Sequence, residues 1–268
     1  MLLVTGASGH LGSLVHAGLA ERGLAPLAGT RTPERFGALG RHVDFDDPAT
    51  LRFSGVCTLV LVSAGYGEDD RVIARHDRVI RAAEEQGVEH VIYTSLTTAG
   101  DHLAFALAHR WTERRLRESS LSWTILRNGL YAELFGQLVA PVDGVITAPF
   151  GTGGLAAVAR QDLADVAVEV AAQPAAHRDH AYELVGPVAV TAGGVAGELG
   201  LPYRPVSLAR RRAELSNADG LLPFQPAMLM SIYSATAAGF LAETGGDLRR
   251  LLPQTPRQPR PIAVAAAS

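Results

Sequence analysis

At 268 residues the chain can bury a full core, either as one large α/β domain or as a domain with a smaller appendage. A net charge of −3 offers no footprint for nucleic acid, and the single cysteine, Cys57, excludes an intrachain disulfide and a thiolate metal cluster. All 24 basic residues are arginine, so Schiff-base chemistry, a Walker lysine and a Tyr-x-x-x-Lys pair are impossible.

The first stretch, LLVTGASGHLG at 2–12, reads as strand, tight turn and helix. Gly6 permits the turn, Gly9 lets a pyrophosphate approach the backbone, and Gly12 lets the helix pack on the strand. Phosphates would then rest on free N–H groups at the helix N-terminus, around Ala7, Ser8, His10 and Leu11. A glycine-rich turn that binds nothing is the plain alternative. The helix is expected over His10–Arg22, closed by Gly23.

A second strand, Leu24–Gly29, ends in Thr30-Arg31-Thr32. An NAD-selective site places an acid here for the ribose 2′-hydroxyl, whereas Arg31 offers a forked cation to a 2′-phosphate. NADPH (NADP) is therefore favoured over NADH. A third strand at Arg41–Phe45 precedes Asp46-Asp47-Pro48, which opens a short helix; Asp44 is a candidate acceptor for the adenine amino group, or simply a cap. Cys57–Val62 is the apolar run of a central parallel strand and ends at Ser63-Ala64-Gly65, small residues over which a ribose can lie.

The helix Glu68–Gln86, the strand Val88–Thr94, the helix Leu103–Ser119 and the strand Trp123–Leu126 continue the alternation. Such alternation specifies a doubly wound parallel sheet with helices on both faces. Its ligands bind at the carboxyl ends of the strands, here Gly6, Arg31, Asp44, Ser63, Thr94-Ser95 and Arg127-Asn128-Gly129.

Beyond Tyr131 a helix runs to about Val139, followed by strand and turn over Pro141–Phe150 and a glycine loop at 151–154. Asp162 is expected to cap a helix reaching Ala172, Ala181–Val185 reads as a strand, and a short strand is expected near Tyr203–Leu208. The uncharged stretch Leu221–Ala242 contains Pro223, Gln225 and Pro226 and reads as a buried or pocket-lining helix, not a membrane span. The tail from Pro253 reads as an irregular extension. A soft boundary falls near residue 140, with a cofactor half at 1–140 and an integrated α+β substrate-binding part at 141–268. Without a leader pattern and with a lone cysteine, a cytoplasmic location is expected.

TGASGHLG at 5–12, Arg31-Thr32-Pro33, DFDDPATL at 44–51, HVIYTSL at 90–96, His109 with Thr112-Glu113, TILRNGLYAE at 124–133 and ARQDLADVA at 159–167 stand in an order that resembles the NmrA-like atypical short-chain dehydrogenases/reductases. Within that group the pattern is similar to the NAD(P)H:quinone oxidoreductase 2 type. The resemblance implies a Rossmann-type fold and cofactor contacts from the glycine loop, Arg31, Asp44-Phe45, Ser63-Ala64, Thr94-Ser95 and the backbone from Asn128 through Gly129 and Leu130 to Glu133. Where the group commonly has a lysine after Thr-Glu, this chain has Arg114, which can still bond the nicotinamide ribose but cannot hand over a proton.

None of the six tyrosines has a basic residue four positions on, so the carbonyl-reducing Tyr-Lys machinery is absent. Quinones are more forgiving acceptors, because their reduced anion is delocalised and positioning supplies most of the catalysis. Hydride transfer from NADPH to a quinone or similar conjugated aromatic is the leading expectation, with Tyr131 and His109 at the acceptor end. Surface or packing roles are the plain alternatives for both. Met228, Met230, Ile232 and Tyr233 offer an adaptable apolar wall or core packing. His177 and His180 read as solvated, and Arg210-Arg211-Arg212 as a charged face. Two other functions remain open: a non-catalytic NADP sensor that signals to a protein partner, and a reductase of one biosynthetic intermediate. The expected partner is a small aromatic molecule, with no nucleic acid and no membrane, and the chain is a monomer or a homodimer.

Overall fold

The computed structural model describes residues 1–64 and 67–268. Its strands are β1 (Leu2–Thr5), β2 (Leu27–Thr30), β3 (Gly40–His42), β4 (Thr58–Leu61), β5 (His90–Leu96), β6 (Ser122–Asn128), β7 (Gly154–Leu155), β8 (His180–Leu184) and β9 (Val190–Thr191). Its helices are α1 (His10–Glu21), α2 (Asp69–Glu85), α3 (Ala106–Arg117), α4 (Ala132–Leu138), α5 (Arg160–Ala172), α6 (Ala192–Leu199), α7 (Leu208–Ser216), α8 (Gln225–Ala237), α9 (Leu248–Leu251) and α10 (Pro259–Ala267).

Seven strands form one sheet in the order β3-β2-β1-β4-β5-β6-β8, with every neighbouring pair parallel. Strand β4 is buried throughout, as a central strand covered on both faces must be. Alternation splits its neighbours between two cores. Leu59, Leu61, Val91 and Tyr93 pack with Val79, Ile80 and Leu116 of α2 and α3. Val60, Ile92 and Leu126 pack with Val15 and Leu19 of α1 and with Leu163, Val166 and Val170 of α5. Chain order reverses beside β1, where β2 lies on one side and β4 on the other, and this crevice is where such sheets bind ligands.

The second half is woven into the first, since β8 pairs with β6 and α5 packs on α1. A third core holds Phe135, Phe150, Ile232, Tyr233 and Ala263. Loop 246–247 lies along the outer edge of β8: Gly246 bridges Leu184, and the Asp247 carboxylate accepts from the Glu183 N–H at 3.0 Å.

Six local expectations are corrected. Asp162 does not cap α5; Ala159 stands at the cap, and Asp162 is wholly buried against the Arg257 guanidinium and backbone N–H. Burial pushes its carboxyl up, against the lowering pull of Arg257. The strands expected in Pro141–Phe150 and Tyr203–Leu208 reduce to isolated bridges, Val142 with Val145 and Ile146 with Tyr203. Strand β2 begins at Leu27 rather than Leu24, and β3 ends at His42. The tail is not irregular: Pro259 begins α10, where its missing N–H costs nothing, and Ala263 and Ala267 are buried against the third core.

Helix α10 lies so close to α4 that a Cβ on Gly136 would collide with the Ala263 carbonyl oxygen. Gly136→Ala is expected to cost about 1–3 kcal/mol through forced separation of the two helices. A lowered urea midpoint with an unchanged m-value checks this.

Candidate active site

The carboxyl ends of β1, β4, β5 and β6 open on one cavity of about 430 Å³. At its β1 side, Gly6 takes φ +60°, the left-handed region that a tight strand-to-helix turn needs. A Cβ on Gly12 would strike the Gly6 carbonyl, so only glycine brings α1 this close to the turn. No side chain among the described residues caps α1, and its first-turn N–H groups are left for an anion. At the end of β2, Ser8, Thr30 and Thr32 form a hydroxyl ladder with links of 2.9 and 3.3 Å. Arg31 stands exposed next to it, without a partner among the described residues.

Asp44 is half-buried, and its carboxylate accepts from the Asp46 N–H at 3.0 Å, which leaves its second oxygen for a ligand. Phe45 packs against the core under α2, and its carbonyl accepts from Arg78 at 3.1 Å.

The cavity floor comes from Ser63, Ala64, Thr94, Ser95 and the segment Asn128–Tyr131. Gly65 lies outside the described residues. The Ser63 N–H donates to Thr94 Oγ1 at 3.0 Å and the Val62 N–H to Thr5 Oγ1 at 2.9 Å, so hydroxyls of neighbouring strands hold the ledge after β4. His76 of α2 holds the same ledge from below. Its Nε2 accepts the Ala64 N–H at 3.0 Å, Nδ1–H donates to Thr112 Oγ1 at 2.8 Å, and Thr112 donates to the Ala108 carbonyl at 2.7 Å. Burial pushes the His76 imidazole down to about 3 and keeps it neutral.

Beneath Ser95 lies Glu113, 1% exposed. Its oxygens accept from Ser95 at 2.7 Å, from Arg127 at 2.7 and 3.0 Å, from Arg110 at 3.0 Å and from Arg117 at 3.1 Å. Burial works to raise its carboxyl, but the Arg127 and Ser95 bonds prevail and hold it below the usual range. Asn128 is buried, and its Oδ1 has no hydrogen-bond partner among the described residues. A ligand donor is the natural complement to such an orphaned acceptor.

The far wall is apolar: Phe105, Ala108, Leu134, Phe224, Met228 and Ile232. His109 sits in this wall with Nδ1 2.8 Å from the hydroxyl of the buried Tyr93. Burial, then the nearby Arg110 charge, push His109 down to about 4. Tyr131 lines the opposite side, its ring covered by the Arg160 guanidinium at 4.8 Å, and burial raises its hydroxyl. Glu68 and Asp69 stand at the mouth, where burial raises the Asp69 carboxyl.

Of the residues expected from sequence, the glycine turn, Leu11, Ser63, Ala64, Thr94, Ser95, His109, Asn128, Gly129, Leu130 and Tyr131 converge on this crevice. Arg114 does not join them: α3 turns Glu113 inward and Arg114 out to solvent, 3.8 Å from Glu118. Met228 and Ile232 line the cavity, while Met230 faces a separate groove against α7 and Tyr233 is core, packed on Phe150. His177 bonds the Tyr182 hydroxyl at 2.9 Å, and no metal-holding cluster occurs among the described residues. No helix among them is long and apolar enough to cross a membrane. Tyr93, His76 and the orphaned Asn128 oxygen had no sequence signal beyond lying in or beside apolar runs.

A parallel sheet carrying a glycine turn, a free helix N-terminus and an exposed arginine beside a hydroxyl ladder at its switch point defines a dinucleotide-binding α/β protein. Residues 6–174 match the NAD(P)H-binding family. Quinone oxidoreductase 2 of Escherichia coli is 35% identical over 212 residues, 74% of this chain and 73% of that protein. The crystal structure of an Escherichia coli NADPH-dependent quinone oxidoreductase with NADPH superposes with a TM-score of 0.86 at 30% identity, covering 99% of each chain. Triphenylmethane reductase of Citrobacter sp., complexed with NADP(H), also gives 0.86, at 28% identity and 99% coverage of each chain. The chain belongs to the NAD(P)H-binding, NmrA-like family and is an NAD(P)H-dependent oxidoreductase.

Because His76 gains no proton when folded until far below the ordinary histidine pKa of ~6.5, the unfolded state binds the extra proton first. Its contribution to stability is full above that value and declines as pH falls toward about 3, by up to ~1.4 kcal/mol per unit. His76→Gln is expected to flatten the fall of the urea midpoint between neutral and acid pH.

Proposed function

We propose that the protein reduces quinones or similar conjugated aromatic acceptors with NADPH. The observation that carries this reading is the largely apolar cavity built onto the carboxyl ends of β4, β5 and β6, next to the dinucleotide crevice. An aromatic acceptor fits walls of Phe105, Phe224, Met228 and Ile232, and the polar floor of Ser63, Thr94, Ser95 and Asn128 suits a nicotinamide ribose and carboxamide. Glu68 and Asp69 at the mouth favour neutral or cationic acceptors over anions, which accords with the relationship to a triphenylmethane reductase.

The residues present fit NADPH. Gly9, Gly12 and the uncapped α1 take the pyrophosphate, and Arg31 with the Ser8-Thr30-Thr32 hydroxyls takes the 2′-phosphate. When bound, NADPH supplies the hydride. The chain supplies position and a dry, low-dielectric wall, and His76 and Glu113 brace the ledge and floor from outside the cavity. With no Tyr-Lys pair anywhere in the chain, a delocalised acceptor is the chemistry this site can serve.

NADPH oxidation with a panel of benzoquinones and triphenylmethane cations tests the reading; a silent NADPH complex across the panel would overturn it. Arg31→Ala is expected to weaken NADPH binding about tenfold to a hundredfold and leave NADH binding nearly unchanged, as calorimetric titration of both cofactors would show.

A further inference from the structure

Only one imidazole lines the acceptor cavity among the described residues, and it is backed by a phenol. The Tyr93 side chain is fully buried under α3, and its hydroxyl lies 2.8 Å from Nδ1 of His109. The imidazole lines the cavity beside Phe105, with ring centroids 6.4 Å apart. Nε2, at the other end of the ring, has no partner among the described residues. A second histidine, His76, packs edge-on against Tyr93 with ring centroids 5.5 Å apart.

The sense of the Tyr93–His109 bond follows from acid–base chemistry. A phenol O–H is a stronger acid than a neutral imidazole N–H, and an imidazole ring nitrogen is a stronger base than a phenol oxygen. The Thr112 and Ser63 hydroxyls also neighbour the phenol, but an alcohol oxygen is a weaker base than an imidazole nitrogen, so the favoured arrangement has Tyr93 O–H donating to Nδ1. A neutral imidazole carries one proton, which must then sit on Nε2. Burial holds both groups neutral: it pushes the imidazole down to about 4 and the phenol up. Without Tyr93 no bond at Nδ1 would fix the tautomer, and the Nδ1–H form would present a bare Nε2 lone pair to the acceptor's own oxygen.

We infer that Tyr93 locks His109 as the Nε2–H tautomer, which makes His109 an obligate hydrogen-bond donor to the carbonyl oxygen of the bound acceptor. His109 is then the catalytic residue that meets the substrate, and Tyr93 is its positioning residue. This rests on the reading of the cavity as an acceptor site. In the step itself the hydride brings two electrons to the quinone, NADPH becomes NADP+, and the quinone becomes a hydroquinone monoanion. The Nε2–H bond steadies the negative oxygen as charge develops there. Neither His109 nor Tyr93 surrenders its proton; the monoanion takes one from water after release. The dyad thus selects acceptors by an oxygen placed against the apolar wall.

Nitrogen-resolved NMR of the imidazole ring tests the tautomer directly. The parent is expected to carry the His109 proton on Nε2, and Tyr93→Phe to show a mixture of tautomers. In the same variant kcat with benzoquinone is expected to fall about tenfold, the worth of one net hydrogen bond, with KM for NADPH unchanged. His109→Gln, which can bring an N–H near the Nε2 position, is expected to retain more of the quinone rate than His109→Leu. A proton found on Nδ1 in the parent, or equal losses in the Gln and Leu variants, would overturn the inference. If the parent oxidises no NADPH with any quinone, the acceptor reading fails, whereas the tautomer measurement still decides how Tyr93 and His109 are bonded.

Discussion

A carboxylate taken out of water must be met by cations and donors, and much of this structure is arranged around meeting one. Glu113 lies beneath the ends of β5 and β6, where Ser95, Arg110, Arg117 and Arg127 converge on its two oxygens. Arg127 passes the connection on to Glu183 of β8 at 3.1 Å, and Glu183 takes a 2.8 Å bond from Thr97 beyond β5. The cluster therefore fixes the relative heights of three strands and of α3 at the end of the sheet where the cavity opens. In a chain without lysine every cation here is a planar fork, and forks can bridge two carboxylates at once. Removing Arg127 would take two bonds at once from the buried carboxylate, which is costly.

Two histidines on that frame do different work because they meet different partners. His76 is saturated on both nitrogens by protein and braces the ledge after β4. His109 is bonded at one nitrogen only and lines the cavity. Both are kept neutral by burial, so neither brings a charge to the cavity. Electrostatics at the mouth come instead from Glu68 and Asp69.

The first half of the fold was legible because parallel strands announce themselves as apolar runs and glycine turns have a fixed place between strand and helix. The strand ends then pointed to Ser63, Thr94, Ser95 and Asn128 without further help. What escaped sequence reading depends on contacts between distant positions. Asp162 has the look of a helix cap, yet its partner is Arg257, far along the chain. Tyr93 sits in an apolar strand, and nothing local distinguishes a phenol that meets His109 from one that merely packs. Helix α10 was hidden by its prolines and alanines, which mark an irregular tail when read alone and a close-packed helix when Gly136 lies opposite. Arg114 stands where the related group commonly has a lysine and was expected to bond the nicotinamide ribose, but helical phase turns it outward.

The covering of β8 by residues 246–247 has a consequence for how this chain behaves beside its own copies. An exposed strand edge offers a ladder of unpaired amides on which another chain can add, the usual first step of sheet-mediated aggregation. Here one edge of the sheet is β8, whose Glu183 N–H and carbonyl are both taken by Asp247, and the other is β3, only three residues long. Neither edge presents a register long enough to template a further strand. The seven-stranded sheet therefore offers a second copy of the chain little open ladder to extend.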